Sequence, residues 1–110
     1  MAFTLADINI IEGEEDADHI SVACSMQRAI NSGMWSLQGS YGRAMMGMIQ
    51  SGDCMLGPRS ARDAYGNHIP SRSEVSEGTK GSRLYVVQNY GEEWAEMLDA
   101  VDQPLQGAAH

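Results

Sequence analysis

The chain predicts a mainly α fold, and three observations carry that prediction. Apolar residues step by three and four from Ile20 to Met48 without a slip, the spacing of one stripe down a helix. The same period returns from Leu84 to Val101. Between them, residues 52–80 carry Gly52, Gly57, Pro58, Gly66, Pro70 and Gly78 and follow neither the helical nor the strand period. The expected architecture is a small three-helix domain with a short N-terminal strand or extended arm and a long ordered loop. Its parts are an arm over 1–15, a helical hairpin or one long helix over 16–51, an irregular basic loop over 52–80 and a C-terminal helix over 81–103. At 110 residues this is a single domain, burying roughly two-thirds of its unfolded surface around one modest core.

Residues 3–11 are short and rich in β-branched side chains, with Phe3 and Leu5 on one parity and Ile8 and Ile10 on the other. That fits a strand or an arm laid on the core. The acidic run 12–18 precedes the first helical stretch, where carboxylates favour the positive helix end and Asp16 or Asp18 can serve as cap. The stripe that follows is Ile20, Ala23, Gln27, Ile30, Met34, Leu37, Tyr41, Ala44 and Met48, and Gln27 alone is clearly polar. Asn31-Ser32-Gly33 reads as a helix stop, giving two helices over about 17–31 and 35–51. The unbroken phase keeps one long helix as the alternative.

Gly33, Ser40 and Gly47 recur every seven residues beside this stripe, and residues 44–49 are apolar on nearly every side. So small a chain has little protein to surround such a helix, which points to a homodimer with Met45, Met46, Met48 and Ile49 in its interface. In the loop, Ser60 to Asp63 and Ser71 to Glu74 have capping-box spacing, and Tyr65-Gly66-Asn67-His68 reads as a turn. The C-terminal helix is capped by Ser82 or entered through Thr79 and stops before Pro104.

All seven bases lie between Arg28 and Arg83. The two ends hold eleven acids and no base, while the middle holds seven bases and four acids, for a net charge of −8. An acidic chain of this kind argues against nucleic-acid binding by general charge attraction and suits a protein partner with a basic face. The N-terminus has no basic region followed by an apolar run, so no signal peptide is read. No stretch approaches the ~20 apolar residues of a membrane span. The expected compartment is the cytoplasm, where Cys24 and Cys54 would be reduced and mostly buried.

His19, Cys24, Cys54 and His68 have no metal-ligand spacing, there is no GxSxG elbow, and no pair of groups suggests acid–base work. No metal, cofactor or catalytic residue is therefore expected. The stretch Glu77 to Arg83 gathers glycines, hydroxyls and cations at a helix start. It reads as a turn and cap, or as an anion cradle in which Thr79, Lys80, Ser82 and Arg83 join Arg59, Arg62 and Arg72 to hold a nucleotide or phosphate. Tyr90, Trp94 and Leu98 have the spacing of a groove-docking helix, and equally that of a helix packed on its own core.

The leading expectation is a non-enzymatic module that uses Glu12, Glu14, Glu15, Glu92, Glu93 and Glu96 to bind, and so inhibit, a larger partner with a basic surface. A nucleotide or phosphate binder and a structural subunit of an assembly are the alternatives. Tiny, acidic, methionine-rich and without a catalytic signature, the chain is similar in type to accessory proteins that phages make against host machinery. That resemblance of character implies action in the host cytoplasm.

Overall fold

The computed structural model describes residues 18–36, 39–63 and 65–101, and within these the chain is mostly helical. Four helices form: α1 (His19–Asn31), α2 (Gly39–Ser51), α3 (Arg83–Tyr90) and α4 (Glu92–Asp99). A single 3-10 turn, Met34–Ser36, lies between α1 and α2. Strands β1 (Ala61–Arg62) and β2 (His68–Ile69) make a two-stranded antiparallel ribbon, with Ala61 opposite Ile69 and Arg62 opposite His68. The expected arm over 1–15 lies outside the described residues.

Asp18 starts α1, its carboxylate accepting the Ser21 amide at 2.8 Å. The helix stops where Asn31-Ser32-Gly33 predicted: Ser32 is the C-cap and Gly33 follows at φ 72°. Two helices therefore replace the one-helix alternative. Their buried faces differ in phase. In α1 the stripe residues Ala23, Gln27 and Ile30 are buried, although Ile20 is half exposed. In α2 the covered residues are Met45 and Ile49, one position on from the predicted stripe, since the irregular turn resets the phase.

Met45 and Ile49 sit inside the chain's own core, and Met46 and Met48 pack against it partly covered. Of the four residues expected in a dimer face, Met45 and Ile49 are thus covered by the chain itself and Met46 and Met48 only in part. The loop supplies the cover: Cys54 to Leu56 are buried, the Cys54 amide donates to Met48 O at 3.1 Å, and Gly81 lies against Leu56 and Ile49. A Cβ at Gly81 would stand 2.6 Å from Leu56 Cδ1, and φ is 96°, so only glycine fits.

Gln27, the polar exception in the stripe, explains how an irregular segment stays in the core. Its Oε1 accepts the Met55 amide and its Nε2 donates to the Met55 carbonyl, both at 2.9 Å. One side chain thus satisfies both backbone groups of a fully buried residue, as a strand partner would.

The C-terminal region is two helices, where one was expected. Gly91, at φ 100°, closes α3 and opens α4. The break turns α3 about the corner, so Val86 is buried and the predicted stripe residue Leu84 is exposed, while Ala95 and Leu98 of α4 face the core. Ser82 caps α3 and accepts the Tyr85 amide. Of the two capping-box candidates, Ser71 to Glu74 makes one half of the motif around a turn, with the Ser71 amide donating to Glu74 Oε1 at 2.7 Å while its hydroxyl pairs with Ser73. Ser60 to Asp63 runs instead into β1.

No helix among the described residues is long and apolar enough to cross a membrane.

Candidate functional site: the Asp53 cluster and the charged faces around it

Four helices and one turn meet at Asp53. Helix α2 ends at Ser51, and the chain then turns inward and buries Asp53, its side chain 6 % exposed. Tyr90, at the end of α3, donates its hydroxyl to Asp53 Oδ1 at 2.7 Å, and the Ser51 hydroxyl donates to the same oxygen. His19 Nε2, at the start of α1, lies 2.6 Å from Oδ2. Trp94 of α4 donates its indole N–H to the Asp53 carbonyl at 2.9 Å. The His19, Tyr90 and Trp94 rings stack within 27° of parallel, with Tyr90 and Trp94 centroids 5.0 Å apart and His19 and Trp94 5.4 Å apart.

A buried carboxylate is costly unless its lone pairs are used. Here both oxygens are occupied by hydroxyl and imidazole donors. The Asp53 bond holds the Tyr90 proton and raises its pKa above the usual tyrosine value, with desolvation adding to the effect. The geometry is that of a clamp joining four elements. Neither His19 nor Asp53 carried a motif in the sequence. The only signal was the four-residue spacing of Tyr90 and Trp94, and of the two readings of that spacing the structure supports packing on the chain's own fold.

Cys54, next in the chain, is fully buried, and its thiol donates to Ala23 O at 3.5 Å. Burial, reinforced by the neighbouring Asp53 charge, pushes the thiol far up and keeps it protonated. Both cysteines are free thiols, Cys54 buried and Cys24 half-buried. No group of three His, Cys, Asp or Glu side chains among the described residues could hold a metal ion.

The loop proposed as an anion cradle does not converge on an empty site. The Ser82 hydroxyl accepts the Gly78 and Tyr85 amides and donates to Thr79 O at 2.8 Å, and the Thr79 hydroxyl donates to Ser76 O. Those groups are consumed by the turn and cap. Arg83 is held by acids, its guanidinium lying 2.7 Å from Asp99 and 2.9 Å from Glu92. Arg72 braces the core, donating to Leu56 O at 2.8 Å and to Asn31 Oδ1 at 3.1 Å. Arg62 donates to Gly66 O at 2.9 Å within the hairpin, and Arg59 and Lys80 are exposed.

The acidic candidates divide in the same way. Glu92 is tied to Arg83, whereas Glu93 and Glu96 are exposed and make no ion pair among the described residues. Glu93 in the first turn of α4 also favours the helix dipole, but Glu96 lies beyond that turn. Glu12, Glu14 and Glu15 lie outside the described residues. No protein family, curated protein or solved structure matches the chain.

Proposed function

We propose that the protein is a non-enzymatic interaction module that binds, and by occupying it inhibits, a larger partner carrying a basic surface. One observation supports this most directly. Arg83, the cation beside α4, already holds Glu92 and Asp99, so Glu93 and Glu96 keep their charge facing water with no cation of their own among the described residues. Helix α4 is a firm platform for them, because Trp94, Ala95 and Leu98 on its other side pack into the Asp53 clamp and the core. Glu12, Glu14 and Glu15, outside the described residues, are the other acids this reading assigns to recognition. The size, charge and absence of a catalytic signature keep the likeness of type to phage accessory proteins, acting in the host cytoplasm.

Titration of an immobilised oligo-arginine peptide tests the assignment with a charge-matched control. Glu93→Gln/Glu96→Gln and Glu92→Gln/Asp99→Asn remove equal charge. Exposed pairs contribute about 0.2–1 kcal/mol each, so the first variant should weaken binding by about two- to thirty-fold. The second also releases Arg83, but leaves the proposed face intact and should retain a larger share of the affinity. Equal loss in both variants would show that net charge alone, and no particular face, carries recognition.

A further inference from the structure

The charge split of the sequence becomes a spatial polarity with α1 as its axis. At the first residue of α1, His19 stacks with Trp94 beside the corner where α3 meets α4. At its last residue, Asn31 accepts from Arg72, and Gly57 abuts the Ile30 and Asn31 backbone. These two ends are separated by thirteen residues, about 20 Å at ~1.5 Å per residue. One end presents Glu93 and Glu96. The other roots the β1–β2 hairpin, which presents Arg59, Arg62 and, at its tip, Tyr65.

Tyr65 is 85 % exposed, far more than any other large apolar side chain among the described residues. Hydrogen bonds tie the described residues around it. The Asp63 carboxylate accepts the Tyr65 and Asn67 amides, both at 2.9 Å, and Arg62 donates to Gly66 O. Ile69 anchors the ribbon in the core at 8 % exposure. Exposed aromatic side chains of this kind are the commonest interface anchors. Arg62 keeps donors beyond the one it spends on Gly66.

We propose that the hairpin of one copy docks on the Glu93–Glu96 face of a second copy, Tyr65 anchoring and Arg59 and Arg62 pairing with the carboxylates. Twofold symmetry makes each contact occur twice, since both copies contribute both surfaces. A basic aromatic knob fits an acidic face, and this chain displays one whose carboxylates lack a cation. The inference rests on the reading of Glu93 and Glu96 as a recognition surface. It adds that self-association covers this surface until a larger basic partner competes for it.

Sedimentation equilibrium on the full chain tests it, with circular dichroism confirming that each surface variant folds. Wild type should be dimeric at high micromolar concentration. Arg59→Glu/Arg62→Glu and Glu93→Arg/Glu96→Arg should each be monomeric. Their equimolar mixture should dimerise, because each variant's altered surface then meets its opposite. Tyr65→Ala should weaken the dimer about tenfold or more. A monomeric wild type overturns the inference, and so does a mixture that stays monomeric or variants that remain dimers. If wild type is monomeric yet binds oligo-arginine through Glu93 and Glu96, the acidic-face reading survives alone. If it does neither, both fail.

Discussion

Gln27 and Asp53 are the two polar residues on which the core depends. Gln27 closes a reciprocal pair with the Met55 backbone, and an aliphatic replacement would leave a buried N–H and a buried C=O without partners. At about 1–3 kcal/mol for each orphaned group, Gln27→Leu should destabilise the fold by about 2–5 kcal/mol in urea unfolding despite adding apolar surface. A neutral or stabilising result would mean that the 52–56 segment does not need this link. Asp53 is tested through Tyr90. A phenol whose folded pKa is raised contributes stability that is complete below its unfolded value, about 10, and is lost as pH rises through the higher folded value. Absorbance titration should therefore show a tyrosine step above the ordinary value of about 10. Tyr90→Phe should remove that late step and cost about 1 kcal/mol at neutral pH. A late step that survives Tyr90→Phe, or none in the wild type, would contradict the bond to Asp53.

Glycine decides matters differently from helix to helix. Gly42 and Gly47 lie inside α2 with nothing within 4 Å of a would-be Cβ. Alanine at each should stabilise by about 0.5–1 kcal/mol, and the double variant should raise Tm by several degrees. Gly81→Ala should do the opposite, by about 2 kcal/mol or more, because its Cβ would strike Leu56 at a backbone angle that alanine resists. Calorimetry of the three variants checks both signs. The same residues mark what could be read in advance. The stop at Gly33 and the Ser82 cap were legible, because each is local chemistry of a few adjacent residues. The break at Gly91 was not, since a period of three and four runs straight through it and only the backbone angle of the folded chain betrays the corner. Neither was the Asp53 clamp, whose partners His19, Tyr90 and Trp94 come from three separate helices and share no spacing with it.

Across the whole molecule, the segregation of acids and bases along the chain survives folding only in part. Arg83 draws Glu92 and Asp99 to itself, so a block of acids in sequence is not equivalent to an acidic surface. What remains on α4 is a smaller face made by Glu93 and Glu96, held in place by the same helix that closes the Asp53 clamp. Interaction through such exposed carboxylates is screened over about 10 Å at 0.1 M salt, so it should fall steeply with ionic strength. The basic hairpin lies at the far end of α1, which gives the molecule two surfaces of opposite character. The most direct measurement is an NMR titration of the 15N-labelled protein with an oligo-arginine peptide at about 50 and about 500 mM salt. The acidic-face account predicts amide shifts centred on Glu93 and Glu96 and abolished at the higher salt. Shifts that avoid α4, or that persist unchanged at high salt, would contradict it.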